Sequence, residues 1–144
     1  MPPIRVLLVD DSAVMRSTLR TMLAPIQGLQ IIEEVQNGRA AVQIITEQQP
    51  DIVLMDIEMP IMNGLDAVQA IKAFPQVRTI MVSLRAEEEY VAHALRAGAI
   101  GYILKETLTV DLVPAMQAAI RGEYYFSAAI LHAIINAFVQ HLSV

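Results

Sequence analysis

Five side chains suited to metal or phosphoryl chemistry occur in one repeated setting, at the end of a short apolar run. Asp10 and Asp11 follow Ile4–Val9, Asp56 follows Ile52–Met55, Ser83 closes the run that begins at Arg78, and Lys105 follows Ile100–Leu104. Lys105 is one of only two lysines in the chain. Taken singly, each has a plain structural reading: Asp11-Ser12 as a helix cap, Asp56 as a loop acid, Ser83 as a turn residue, Lys105 as a solvated charge. Taken together they fill the same position after four different runs, which chance explains poorly. Three carboxylates brought into one crevice require a raised pKa or a bound cation. Oxygen donors with room for water suit Mg²⁺ better than zinc. A carboxylate can attack phosphorus to give an aspartyl phosphate. That reaction asks mainly for positioning and charge neutralisation, supplied by a cation, an ammonium and a hydroxyl donor. His93, His132 and His141 lie elsewhere in the sequence and read as helix-surface or packing residues.

The elements that must position these groups alternate. The runs Ile4–Val9, Gln30–Val35, Ile52–Met55, Arg78–Val82 and Ile100–Leu104 are rich in Ile, Val and Leu, as strands buried on both faces are. Between them lie apolar stripes of helical period: Met15, Leu19, Met22, Leu23 and Ile26; Ala41, Ile44 and Ile45; Leu65, Val68 and Ile71; Val91, Ala94 and Leu95. A fifth stripe runs Leu112, Val113, Met116, Ala119, Ile120, with Asp111 as its expected N-cap and Pro114 in its first turn. Strand and helix alternating in this way predict a doubly wound α/β domain of flavodoxin-like kind, five parallel strands with helices on both faces. Functional groups then gather beyond the carboxyl ends of the strands. Residues 127–142 read as one more helix, with Ile130, Leu131, Ile134, Ile135, Phe138, Val139 and Leu142 apolar.

Composition narrows the function classes. The chain has 144 residues, is 55% hydrophobic and carries a net charge of −5. It is long enough for one domain with a sizeable core and too apolar for a disordered chain. It has no cysteine, so disulfides and thiolate sites are excluded. The acidic balance argues against nucleic acid as a ligand of this chain itself. No apolar run approaches the ~18 residues of a membrane span, and the N-terminus lacks a basic leader. The expectation is an intracellular, cytoplasmic domain that meets no membrane.

Four segments, in order, resemble the receiver (response regulator) domain of two-component signalling: V-L-L-V-D-D-S at 6–12, L-M-D-I-E-M-P-I-M-N-G at 54–64, M-V-S at 81–83 and G-A-I-G-Y-I-L-K-E at 98–106. K-E-T-L-T-V-D-L and R-G-E-Y-Y-F-S are similar to the NarL/FixJ (LuxR-type) subfamily. The resemblance implies strand order 2-1-3-4-5, with Asp56 as phosphoacceptor, Lys105 contacting the phosphoryl group and Ser83 switching to hydrogen-bond it. It implies Mg²⁺ held by Asp11, by Asp10 largely through water, by Asp56 and by the backbone carbonyl of Glu58. Tyr102 matches the aromatic switch position, and a sensor histidine kinase is the implied partner. The domain would be a phosphoacceptor with self-catalysed phosphotransfer and slow autodephosphorylation, not an enzyme in the ordinary sense.

Departures qualify the match. Leu84 stands where many receivers carry Ala or Gly, and Lys105 is followed by Glu106 in place of the common Pro. Glu58 and Arg85 occupy positions that tune dephosphorylation in this family, either paired across the site mouth or as separate exposed charges. Pro60 and Asn63-Gly64 shape the loop after Asp56 and start the third helix. The organisation expected is a receiver domain over 1–126 and a linker or dimerisation helix over 127–144, its apolar stripe covered by its own domain, a second copy or an effector domain missing from this chain. The expected function is a phosphorylation-dependent switch controlling a DNA-binding effector. The alternatives are a stand-alone receiver acting by contact, a Mg²⁺-dependent aspartyl-phosphate phosphatase, or a dimerisation module with a vestigial acidic site.

Overall fold

The computed structural model describes residues 2–142; Met1 and the last two positions of the 127–144 segment lie outside the described residues. Strands β1 (Ile4–Val9), β2 (Leu29–Val35), β3 (Ile52–Met55), β4 (Arg78–Ser83), β5 (Gly101–Leu104) and β6 (Tyr125–Phe126) form one sheet, every pair parallel, in the order β2-β1-β3-β4-β5-β6. Helices α1 (Ala13–Leu23), α2 (Gly38–Gln48), α3 (Gly64–Ala70), α4 (Glu88–Arg96), α5 (Leu108–Ile120) and α6 (Ala128–Leu142) complete it.

The two-residue side-chain period of the strands divides the core in two. Leu7, Val9, Val53, Met55, Met81, Tyr102 and Leu104 pack with buried residues of α2, α3, α4 and α6. Val6, Leu8, Ile52, Leu54, Ile80, Val82 and Ile103 pack with α1 and α5 on the opposite face. The four inner strands, β1, β3, β4 and β5, are buried on both faces over their last four residues, which is why their sequences run apolar there without alternation. Asparagine and serine side chains start the helices that flank the site. Ser12 Oγ accepts from Met15 N at 3.2 Å, Asn37 Oδ1 from Ala40 N at 2.8 Å, and Asn63 Oδ1 from Asp66 N at 2.8 Å. At the free edge, β2 keeps β1 as its one neighbour, and its register slips between Val6↔Ile31 and Leu7↔Glu33, leaving Ile32 as a bulge.

The expected five-strand sheet is corrected to six. Tyr125 and Phe126 pair with Gly101 and Tyr102, with Tyr125 N donating to the Ile100 carbonyl and Ser127 N to the Tyr102 carbonyl, each at 3.1 Å. Two residues make no periodic run, so this strand is set by its place beside the open edge of β5.

Asp111 is not the cap of α5. The helix begins at Leu108, after a single 3₁₀ turn at Lys105–Thr107, and Pro114 lies in its interior. The carbonyl of Val110 therefore lacks its helical donor, at a position whose side chain is exposed. The Asp111 carboxylate turns inward, 5% exposed, and accepts from Thr107 Oγ1 at 2.5 Å, Ser127 Oγ at 2.6 Å and Tyr125 OH at 2.8 Å. Burial pushes its pKa up, but the hydroxyls of Ser127, Thr107 and Tyr125 outweigh that and hold it below the ordinary carboxylate value. Asp111→Ala would leave three hydroxyls without their acceptor. The variant should lose about 2 kcal/mol of stability, read as a lower urea midpoint at unchanged slope.

In α6 the inner edge of the apolar stripe packs on the domain: Ile130 is fully buried and Ile134 partly so. The stripe's centre, Leu131, Ile135, Phe138 and Leu142, faces outward with Val139. Its own domain thus covers only part of a stripe expected to be buried whole.

Candidate functional site

β1, β3, β4 and β5 end side by side, and their last residues deliver Asp10, Asp11, Asp56, Ser83 and Lys105 to one edge of the sheet. Asp10, Asp11 and Asp56 each offer a carboxylate oxygen, and these atoms lie within 4.8 Å of one another. Asp10 and Asp56 are buried and Asp11 is exposed. Backbone bonds fix the two buried acids: Asp10 N donates to the Val35 carbonyl at 3.1 Å and Asp56 N to the Val9 carbonyl at 2.9 Å. Their side chains accept from nearby amides, Asp10 Oδ1 from Ser12 N at 2.9 Å and Asp56 Oδ1 from Ile57 N at 2.8 Å. Lys105 Nζ bridges the pair, 2.9 Å from Asp10 Oδ2 and 3.2 Å from Asp56 Oδ2. Above them opens a cleft of about 400 Å³ lined by Asp11, Ser12, Met15, Asp56, Glu58, Leu84 and Lys105.

The charge balance decides the chemistry. Three carboxylates against one ammonium leave an excess of negative charge in a partly dry site. Burial, then the neighbouring Asp10, push the Asp56 carboxyl up to about 6 from 3.8, against the pull of Lys105. Burial pulls Lys105 down, but Asp10 and Asp56 outweigh it and keep the amine protonated beyond its ordinary range. The donor set is all oxygen and under-neutralised, so it fits a hard divalent cation such as Mg²⁺ and offers zinc no nitrogen or sulfur.

The raised Asp56 pKa carries a stability consequence in metal-free buffer. Native Asp56 holds its proton more tightly than the unfolded chain does, so stability falls as pH rises from about 4 through 6. Asp56→Asn removes that loss. The variant should exceed the parent by about 2 kcal/mol near neutrality, the difference vanishing near pH 4, as read by urea titrations at the two pH values.

Around the mouth, Ser83 Oγ accepts from Arg85 N at 2.9 Å, and the Tyr102 hydroxyl donates to the Arg85 carbonyl at 2.6 Å. Tyr102 is fully buried, and burial pushes its phenol up to about 12, so it remains a donor. Glu58 and Arg85 do pair across the mouth, Oε1 to Nε at 2.9 Å, while Arg85 also reaches Glu87 at 3.3 Å and lies 5.2 Å from the Tyr90 ring centre. Leu84 is exposed at the cleft rim.

The role of Gly64 extends beyond starting a helix. A Cβ there would stand 1.8 Å from the Asp56 carbonyl oxygen, so the α3 terminus touches the backbone of the central acid. Before it, Ile61 takes φ +72° with Met62 N donating to the Pro60 carbonyl at 2.7 Å, a tight turn that a β-branched residue rarely adopts. Neither feature has a side-chain pattern that could reveal it in the sequence.

The profile of the family described as "Response regulator receiver domain" matches residues 6–117. The chain belongs to that family. This receiver is 31% identical to the transcriptional regulatory protein DegU of Brevibacillus brevis over 136 residues, covering 94% of this chain and 58% of DegU. It is 38% identical to the transcriptional regulatory protein YdfI of Bacillus subtilis, covering 88% of this chain and 60% of that protein. The receiver thus spans about three-fifths of the length of these curated relatives. Among solved structures, a LuxR-family two-component response regulator from Aurantimonas superposes with TM-score 0.89 at 28% identity, over 95% of this chain and 99% of that one. The receiver domain of a NarL response regulator from Mycobacterium tuberculosis gives 0.79 at 27%, over 85% of this receiver and all of that chain. These relatives agree with the subfamily resemblance drawn from segments 105–112 and 121–127. Among the described residues, no helix is long and apolar enough to cross a membrane.

Proposed function

We propose that Asp56 accepts a phosphoryl group from the phosphohistidine of a sensor histidine kinase and that the resulting aspartyl phosphate switches the surface of this receiver. The observation that carries the proposal is the buried Asp56 carboxylate, 3.2 Å from the Lys105 ammonium and clustered with Asp10 and Asp11. An oxygen of Asp56 forms the new bond to phosphorus as the phosphorus–nitrogen bond to imidazole breaks, and the imidazole leaves. Mg²⁺, held by Asp10, Asp11, Asp56 and the Glu58 carbonyl, would neutralise phosphoryl oxygens when bound. Lys105 neutralises a further oxygen and stays protonated throughout. Ser83 turns its hydroxyl to donate to the phosphoryl group, which gives up the bond from Arg85 N and frees the segment carrying Arg85 to move. Because the Tyr102 hydroxyl is bonded to the Arg85 carbonyl, that motion reaches Tyr102 as well. The free energy of the switch comes from contacts present only in the phosphorylated state.

Residues 1–126 act as the receiver and 127–144 as a linker or dimerisation helix, whose exposed Leu131, Ile135 and Phe138 supply a face for a second copy. The output is control of a DNA-binding effector, in line with the transcriptional relatives, and the setting is cytoplasmic. The Glu58–Arg85 pair over the cleft limits access of water, giving slow autodephosphorylation.

Intact mass after incubation with Mg²⁺ and a small acyl phosphate tests the reading. One phosphoryl adduct is expected on the parent and none on Asp56→Asn; an adduct surviving in the variant, or absent from a parent that binds Mg²⁺, would overturn it.

A further inference from the structure

Lys105 reaches the acids on a long, flexible side chain, so the place of its ammonium depends on the short backbone segment that carries it. That segment is held at both ends by groups that touch neither acid. In front, Leu104 N donates to Ser127 Oγ at 2.9 Å. Behind, Thr107 Oγ1 donates to Asp111 Oδ2 at 2.5 Å. The two restraints converge, because Ser127 Oγ donates to that same carboxylate oxygen at 2.6 Å while Tyr125 OH steadies Oδ1 at 2.8 Å. Ser127 and Asp111 are buried, so water offers little competition for these bonds.

We propose that Thr107, Asp111 and Ser127 are positioning residues for Lys105, and that the same hydrogen bonds tie the first turn of α6 to the state of the phosphoryl site. This inference rests on the phosphoacceptor reading above. Ser127 immediately precedes α6 and its carbonyl accepts from Leu131 N at 2.9 Å, so it anchors that helix. Its own amide donates to the Tyr102 carbonyl at 3.1 Å. One residue thereby contacts the strand of the buried tyrosine, the turn of the lysine and the start of α6. Beyond this anchor, α6 packs on the domain through Ile130, its one fully buried side chain among the described residues, and the partly buried Ile134, so Ser127 fixes the end at which the helix leaves the sheet. A change at Lys105 shifts what Ser127 can bond, and by linkage the seating of α6 alters the affinity of the site.

The test uses the full 144-residue chain, with each variant's folding checked by thermal melting. Phosphorylation by a small acyl phosphate with Mg²⁺ is timed by intact mass. Thr107→Val, which keeps shape and loses the hydroxyl, should slow the reaction roughly tenfold, and Thr107→Ser should restore it to within about twofold of the parent. In parallel, hydrogen exchange of residues 128–142 is compared with and without beryllofluoride. The parent should change protection in α6 on binding, and Ser127→Ala, which should bind more weakly, should lose that change even at beryllofluoride concentrations that saturate it. Parent-like rates in Thr107→Val, no rescue by Thr107→Ser, or an undiminished α6 response in Ser127→Ala would overturn the inference. Should Ser127→Ala not fold, the Thr107 pair decides alone. A parent that takes no adduct on Asp56 defeats the phosphoacceptor reading itself, whereas an adduct formed at equal rates in parent and variants defeats only the positioning role.

Discussion

Gly64→Ala should cost more than about 3 kcal/mol and abolish most phosphorylation, although alanine is the better helix former by about 1 kcal/mol. The added Cβ would sit 1.8 Å from the Asp56 carbonyl oxygen, 2.8 Å from its carbon and 3.0 Å from Met55 Cγ. No rotamer relieves a clash between a Cβ and backbone, so either α3 retreats or β3 does. Retreat of α3 breaks the bond from Gly64 N to the Ile57 carbonyl at 2.8 Å; retreat of β3 moves Asp56 away from Lys105. Urea unfolding and the rate of adduct formation measure the two losses. A variant as stable as the parent would mean that the close approach relaxes at little cost.

Lys105→Ala should be nearly as damaging, and its cost should depend on pH and on metal. Removing the ammonium leaves Asp10 and Asp56 buried together without their shared partner. Breaking a buried pair from one side costs about 3–5 kcal/mol. Here Asp56 can relieve part of that by taking up a proton, since its carboxyl is already pushed up to about 6 by burial and Asp10. A loss of about 3 kcal/mol is therefore expected near neutrality without metal, shrinking toward pH 5 as Asp56 becomes neutral. The sign follows from a folded-state pKa raised further above 3.8, so that stability is lost as pH rises through the new value. Mg²⁺ should recover much of the deficit by replacing the missing positive charge. Thermal melts at two pH values, with and without Mg²⁺, separate these effects; a deficit insensitive to both would point to lost packing of the lysine stem.

The site was legible because its chemistry sits where topology concentrates it. The ends of β1, β3, β4 and β5 carry unusual residue types, and the receiver resemblance supplied the strand order that makes these ends neighbours, which right-handed crossovers alone leave open. The features that escaped were set by tertiary proximity. β6 is two aromatic residues that become a strand only because β5 has a free edge. Asp111 looked like a cap because an acid before a helical stripe usually is one; the 3₁₀ turn at 105–107 moved the helix start upstream and left the carboxylate facing Thr107, Ser127 and Tyr125. Sequence left the Glu58–Arg85 relation open, since residues 27 positions apart meet only once β3 and β4 are neighbours. For α6, periodicity identified the helix but could not say which edge of a wide stripe would be covered.

The bulge in β2 bears on how this chain behaves in a crowded solution. An open edge of seven residues is a template on which another molecule's strand could add, the first step toward fibrous aggregation. The extra residue at Ile32 breaks the regular spacing of the backbone groups that an incoming strand would have to match. Glu33 and Glu34 come directly after it, with Glu34 held in place by Arg16 at 3.5 Å and by Arg20. Two copies meeting edge to edge would bring acids against acids on a mismatched ladder, a combination that disfavours growth by strand addition before any partner is chosen.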